Sequence, residues 1–580
     1  MFVNLTADDG QFLSDYYLES DAICAPLTSS EHAKLHCFIK KSAKFLSTHC
    51  LMLFIISLIS GCGGSGGSMM DLAPEPAFEE TEPEPPPENS TDILWSPGIY
   101  EPWRNLSQIC ANPRNNDDYN DQQGSISNEN NWIRSYSDDT YLWYDELPDI
   151  DPKTVSSTSE YFELMKTDSV TESGTPKDKY HYTEDTEAWN NYFERGANVG
   201  FGMRLTSSNS NGESYRIFVL YSEPLSPAAE ASIVRGTEII SINNETVSDG
   251  LSQGMYDALF PATTGVETSI EVLYAESDDV KSVNMTSAEI TITPVQKVDV
   301  IQHGAISVGY MLFNQHIASA EKQLLDAMQT LKISKIDELV IDMRYNGGGY
   351  LSIASQLAFM VAGESAINQI FERSTFNDKH QVYNPITQQR IEDGLFITET
   401  QGLSAEAGEP LPTLNLSKVY ILSTERTCSA SEAVINGLRG IDIEVILIGG
   451  TTCGKPYGFY GIDNCGTTYL TIQIKGTNAK GFGDFGDGFV PSPSNVPASA
   501  SVRGCRAIDT ISTDSLGQEE ESLLSTALHH IANGTCPSSS SSSSSIQKKQ
   551  KTFGREPDSE KLDNTSKWAV KILSRHSQSR

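Results

Sequence analysis

The sequence predicts a multidomain α/β protein in which a small helical segment and a β-rich unit precede the main α/β core. Three observations predict it. The 580 residues are too many for one core. From residue 297 to 536, strand-like and helix-like runs alternate, which implies parallel strands joined by helical crossovers. From 196 to 296 the period is two, without long helical runs. Hydrophobic residues make up 38% of the chain, enough for a packed interior, so wholesale disorder is excluded. The formal net charge is −36. So acidic a chain lacks the positive footprint that a nucleic-acid backbone requires, and no nucleic-acid partner is expected.

Residues 1–61 read as a signal region with an over-extended start. The apolar run Leu51 to Ile59 follows Lys40, Lys41 and Lys44. It is shorter than the roughly 20 residues of a membrane-spanning helix and has the form of a secretion signal. Its end, Ile59-Ser60-Gly61-Cys62, resembles a bacterial lipobox, which implies cleavage before Cys62 and lipidation there. Gly63 after that cysteine resembles lipoproteins sorted to the outer membrane. A lipid anchor would make the membrane a partner, and the cell envelope is the expected location. Residues 62–129 then read as a tether: Gly/Ser-rich at 63–67, acidic and proline-dense through AFEETEPEPPPENS. Residues 537–580 open on a serine run and read as a low-complexity tail.

Residues 130–195 are polar with scattered aromatics and read as short amphipathic helices, with Trp132, Tyr136, Trp143 and Phe162 facing inward. In 196–296, GFGMRL, RIFVLY, TEIISIN, SIEVLY and EITITPV alternate as strands do. The string SEPLSPAAEASIVRGTEIISINNETV resembles a PDZ domain, although Ser232 and Thr237 stand where Gly and Asp are commoner. Gly200, Phe201, Gly202 and Met203 resemble the loop with which such domains receive a terminal carboxylate. Backbone N–H groups cradle the anion there, and the peptide adds as a strand.

In 297–536, three loops follow predicted strands: Arg344 to Gly349, Thr427 to Glu432, and Thr451 to Lys455. Loops after parallel strands gather at the carboxyl edge of the sheet, where ligands bind. Ser429 opens the helix SASEAVINGL. A serine caps a helix there routinely, but a nucleophile in that place also gains first-turn N–H groups that hold an oxyanion. Ala430 N–H is the natural donor. Lys455 lies between Gly454 and Pro456. A buried lysine is driven toward its neutral form, and a neutral amine in reach of Ser429 takes its proton. Gly347-Gly348-Gly349 lets backbone approach a ligand, with Gly348 as the expected second oxyanion donor. No GxxxxGK[ST], CxxC or HExxH spacing is present and RYNGGG lacks the GxGxxG spacing, so neither a cofactor nor a metal is expected.

IDMRYNGGG, TCSASEA and GGTTCGKPYG, in that order, closely resemble the carboxyl-terminal processing (tail-specific) peptidases, serine peptidase family forty-one. GYMLFNQ and DGFVPS also look like family landmarks. The resemblance implies a crotonase-like (ClpP/crotonase) core, Ser429 as nucleophile, Lys455 as general base, and protein or peptide substrates. Two departures stand out. Phe459 occupies the position where many relatives carry a glutamine that orients the lysine, leaving Glu432 or Ser431 as supporting candidates. Gly347 replaces a frequent proline.

Six cysteines follow Cys62. An even number in an exported chain suggests disulfides. The favoured pairs are Cys453–Cys465, across an apparent hairpin, and Cys505–Cys536, closing the last helix; Cys428 with Cys453 or with Cys110 is the alternative. Among the histidines, His316 follows a strand and could approach a site, but no Ser-His-Asp signature is present. GFGDFGDG at 481–488 reads as a turn near the cleft. The expectation is a cell-envelope serine endopeptidase. A catalytically silent peptide-binding protein and a small-substrate esterase or amidase are its rivals.

Overall fold

The computed structural model describes residues 95–538, except 117, 172, 209–213, 276–278, 495–498 and 512–513, together with the backbone of 570–572. The signal region, Cys62, residues 63–94 of the expected tether and most of the serine-rich tail lie outside the described residues. The rest of that stretch, 95–129, departs from a tether: it holds the helix Trp103–Leu106, with Trp103 and Cys110 buried, and the start of the helix Ile126–Thr140. Among the described residues no helix is long and apolar enough to cross a membrane.

A seven-stranded sheet organises the α/β part. Its order is Val295–His303, Ile306–Phe313, Glu338–Asp342, Lys418–Ser423, Glu444–Gly449, Ser501–Arg506, Val490–Ser492. The first pair is antiparallel and every later pair parallel. Period-two alternation splits each strand between two cores. Leu339, Ile341, Val419, Ile421, Val445 and Leu447 face the helices Ala320–Ser334, Leu351–Ala362 and Ala430–Gly440. Val340, Tyr420, Leu422, Ile446 and Ile448 face the helix Ser522–Asn533. Both faces are covered, which is why these strands read as nearly continuous apolar runs.

The helix Ile126–Thr140 starts at Ser125, whose side chain accepts from Asn128 N–H while Asn128 Oδ1 accepts from Ser125 N–H, a reciprocal cap. Trp132 stacks on Tyr136 at 4.9 Å and meets Tyr469 at 5.0 Å. The helical segment therefore shares its core with the hairpin Ile462–Asn464/Thr467–Leu470, whose second strand pairs with Tyr182–Asp185. Trp132, Tyr136 and Phe162 are buried as expected. Trp143 is only half-buried and lies edge-on to Tyr457 at 4.9 Å.

The cysteine pairing corrects one expectation. Cys505 pairs with Cys536, as favoured. Cys453 and Cys465 do not pair. Cys465 sits in the hairpin turn and bonds Cys110 of the N-terminal segment, while Cys453 bonds Cys428. The reason is packing: the hairpin turns its tip toward the N-terminal segment and away from the loop that carries Cys453.

The β-rich unit is an antiparallel sheet ordered Val280–Thr286, Glu267–Leu273, Glu238–Ile242, Arg216–Ser222, Met203–Ser208. Phe201, Leu205, Val219, Ile239 and Leu259 share its core. Buried ions join it to the α/β part. The fully buried Arg344 donates to Asp342, Asp509 and Glu521 at 2.6–2.9 Å, and Arg235 of the β-rich unit donates to Asp509 and Tyr345. Burial pushes Asp509 up, but Arg235 and Arg344 outweigh it and hold the carboxyl down at about 2. Such a group stabilises the fold above the ordinary carboxylate range and loses that contribution as pH falls toward 2. Replacing Arg344 with Ala takes the arginine from Asp342 and Glu521 and leaves Asp509 to Arg235 alone. It should cost about 3–5 kcal/mol in urea denaturation at neutral pH.

Candidate active site

The carboxyl ends of the strands Glu338–Asp342, Lys418–Ser423 and Glu444–Gly449 carry the three expected loops. Ser429 is the N-cap of the helix Ala430–Gly440 and has φ +60°, ψ −109°. A left-handed φ on a non-glycine residue costs on the order of 1–3 kcal/mol and marks a constrained turn. A strained turn at a helix start presents a side chain outward from a sheet edge, as nucleophile elbows do. Ser429 Oγ is buried and has no hydrogen-bond partner among the described residues. Ala430 is the first helical residue, and its N–H belongs to the first-turn donors that a helix leaves without intrahelical partners.

Glu432, fully buried, binds this helix start to the lysine loop. Its Oε2 accepts from Ser429 N–H and Lys455 N–H, both at 2.8 Å. Its Oε1 accepts from Gly454 N–H at 2.9 Å and Thr452 Oγ1 at 2.6 Å. Burial pushes the carboxyl pKa up, while the donors from Thr452, Lys455, Ser429 and Gly454 pull it back. A second tie is covalent, through the Cys428–Cys453 disulfide. Gly454 has φ +81°, and a Cβ there would lie 2.2 Å from Gly486 O, so the turn at 481–488 packs on the lysine loop and demands glycine.

Lys455 is fully buried. Its Nζ lies 4.6 Å from the Tyr180 ring centroid and 4.4 Å from that of Phe459. Glu432 holds the backbone of Lys455, and Ser431 Oγ donates to Asn346 O at 3.0 Å. Two rings thus stand over the amine, one of them Phe459, the residue at the position where the family resemblance led to a glutamine being expected. Tyr180 OH also donates to Gly454 O at 3.2 Å.

Asn346, missed by the sequence reading as a site residue, ties the glycine loop to the Ser429 loop. Its O accepts from Cys428 N–H and Ser431 Oγ, both at 3.0 Å. Its Nδ2 donates to Phe313 O at 2.9 Å, which fixes Oδ1 as the acceptor for Gly348 N–H at 3.0 Å and His316 Nδ1 at 2.9 Å. The expectation for Gly348 is thereby corrected, because its N–H is spent on Asn346. His316 N–H donates to Gly348 O and Tyr350 N–H donates to His316 O. Strand alternation then turns Gly349 N–H to the opposite edge, where Val570–Ile572 pairs in parallel with Gly348–Tyr350. Gly349 has φ +136°, and a Cβ would lie 2.2 Å from His316 O. Burial lowers the His316 pKa to about 3, keeping the ring neutral.

Gly200, Phe201, Gly202 and Met203 lie apart from these loops, lining a cavity of about 90 Å³ with Leu259 and Phe260. Phe201 points into the β-rich core and is 2% exposed. Glu223 closes the cavity. Its N–H donates to Gly202 O at 2.7 Å and its carboxylate accepts from Thr293 N–H and Gln296 Nε2.

Residues 307–460 match Peptidase family S41, and residues 128–180 match the Peptidase S41 N-terminal domain. The chain is 23% identical to the chloroplastic carboxyl-terminal-processing peptidase 1 of Arabidopsis thaliana over 56% of this chain and 60% of that protein. It is 27% identical to a carboxyl-terminal-processing protease of Picosynechococcus sp. over 44% of this chain and 54% of that protein. The chain thus spans less than two thirds of the length of these curated relatives. A candidate S41 protease structure from Bacteroides fragilis superposes with a TM-score of 0.50 at 22% identity, covering 72% of this chain and 100% of that one. The fold is accordingly that of an S41 peptidase, mixed α/β with an N-terminal S41 domain.

Two expected outcomes follow from this geometry. Glu432→Gln sets an amide N–H against backbone donors, so it should lower stability by about 1–3 kcal/mol in urea and lower turnover. Glu223 is raised to about 7 by burial, against its hydrogen bonds from Thr293 and Gln296. Its contribution is therefore complete below the ordinary carboxylate range and is lost as pH rises to 7. Denaturation at pH 5 and pH 8 should show a fall in stability that Glu223→Gln removes.

Proposed function

We propose that this chain is a serine-type endopeptidase that cleaves peptide bonds through Ser429 and Lys455. The observation that carries the reading is the strained, unpartnered Ser429 hydroxyl at the start of a buried helix, tied through Glu432 to the loop of a buried lysine. Ser429 Oγ attacks the carbonyl carbon while Lys455 Nζ takes its proton. N–H groups of Ala430 and Gly349 receive the oxyanion. The C–N bond breaks, the proton passes to the leaving amine, and water resolves the acyl-enzyme. In the resting arrangement Nζ lies over two rings, and substrate binding brings it onto Oγ; such contacts commonly tighten only in the complex.

The substrate is an extended polypeptide. The edge Gly348–Tyr350 already takes a parallel strand, Val570–Ile572, beside the helix Ala430–Gly440 and Tyr457–Gly458. The core is crotonase-like. The β-rich unit is PDZ-like, with Gly200, Phe201, Gly202 and Met203 at the head of its end strand Met203–Ser208 and a cavity running to Leu259. A peptide tail docks there by strand addition, in keeping with the carboxyl-terminal processing named for the relatives. Lipidation at Cys62 anchors the chain in the cell envelope. A catalytically silent peptide-binding protein is the second reading, favoured by Phe459.

Comparison of new protein termini between wild type and Ser429→Ala tests the reading, with all self-generated ends expected to vanish in the variant. Lys455→Ala should lower kcat by roughly 10²–10⁴-fold, and activity should fall in acid, where the amine is protonated. Wild-type turnover in either variant overturns the assignment. Removing residues 539–580 frees the edge of Gly348–Tyr350, so KM for a peptide substrate should fall with kcat unchanged.

A further inference from the structure

The nucleophile and the base are each within two residues of one half of the same disulfide. Cys428 immediately precedes Ser429, Cys453 lies two residues before Lys455, and the two are bonded. The other two disulfides among the described residues sit elsewhere: Cys110–Cys465 staples the N-terminal segment to the hairpin, and Cys505–Cys536 fastens the segment after the helix Ser522–Asn533 to the sheet. We infer that Cys428–Cys453 is a positioning device for the Ser429–Lys455 pair and makes turnover conditional on oxidation. This inference rests on the peptidase reading above.

Three features support it. First, the cross-link complements Glu432. Hydrogen bonds from one carboxylate hold the backbone of both loops, and the covalent bond fixes their separation. Second, Cys453 Sγ lies 3.3 Å from Glu432 Oε2, the same oxygen that accepts from Ser429 and Lys455 N–H. In the disulfide the sulfur has no proton to give, so that oxygen serves the two backbone donors alone. A reduced Cys453 thiol would compete for it. Third, the bond can be reached from one side. Cys428 is fully buried, whereas Cys453 is part-exposed, with Lys179 Nζ donating to its carbonyl at 3.2 Å.

The exchange balances with a dithiol as reductant. A reductant thiolate attacks Cys453 Sγ, the Cys453–Cys428 bond breaks, and Cys428 leaves as a thiolate that takes a proton. The second reductant thiol resolves the mixed disulfide and releases Cys453. Two electrons pass to the protein, and the dithiol becomes a cyclic disulfide. A disulfide oxidant reverses the sequence, so the enzyme gains full activity only in an oxidising compartment.

The test uses the full chain and a quenched fluorescent peptide. Cys428→Ala/Cys453→Ala should lower kcat by roughly ten- to a hundredfold with KM within about twofold, and dithiothreitol should have no further effect on it. Cys110→Ala/Cys465→Ala should lower the Tm but keep kcat, and dithiothreitol should then inactivate it as it does wild type, with recovery on adding oxidised glutathione. Hydrogen exchange at residues 451–455 should quicken in the Cys428/Cys453 variant, and equally when Ser429→Ala is added, so this readout needs no turnover. Unchanged exchange, or a folded double variant with wild-type kcat, overturns the inference. Absence of Ser429-dependent cleavage in oxidised wild type would instead refute the peptidase reading and leave the exchange result to decide the positioning role.

Discussion

One buried carboxylate organises this site. Glu432 carries a charge into a place with no exposure, and its acceptors are filled by Ser429, Thr452, Gly454 and Lys455. A buried ion without donors would be very costly, so the carboxylate and the two loops define each other's positions. The helix start, which attracts negative charge, is where such a group is best tolerated. The strain at Ser429 is sustained because its neighbours on both sides are fixed, Cys428 by disulfide and hydrogen bond and the helix by its core contacts.

A second anchor lies below the glycine loop. Arg344 fills a closed space with Asp342, Asp509 and Glu521, and Arg235 extends the cluster into the β-rich unit. Just above it, Asn346 distributes its amide and carbonyl among Phe313, His316, Gly348, Cys428 and Ser431. The polar layers fix where the loops leave the sheet, and the apolar cores on both faces fix the sheet. Arg426, three residues before Ser429, also donates to Thr206 at 2.8 Å, so the β-rich unit touches the Ser429 loop directly.

Much of this was legible in the sequence. The apolar runs at Glu338–Asp342, Lys418–Ser423 and Glu444–Gly449 announced parallel strands, because a strand buried on both faces cannot alternate. Parallel order then sent three loops to one edge, bringing Ser429, Ala430, Glu432 and Lys455 together. The reading failed where an outcome depended on facing surfaces. Cys453 and Cys465 look like neighbours along the chain, yet each is closer in space to a distant cysteine. Gly348 and Gly349 are indistinguishable as letters, and only strand alternation against His316 decides which N–H is turned to the edge that Val570–Ile572 takes.

The sequence by itself determined the parallel α/β core, the loops that carry the chemistry and the residue types in them, because periodicity and motif order are local properties of the chain. The tertiary structure alone decided that Tyr180, from the N-terminal segment, walls the lysine beside Phe459, that Asn346 consumes the Gly348 donor, and that Cys428 is bonded to Cys453. Each of those depends on which surfaces meet when apolar faces are buried together, and no spacing along the chain encodes that meeting.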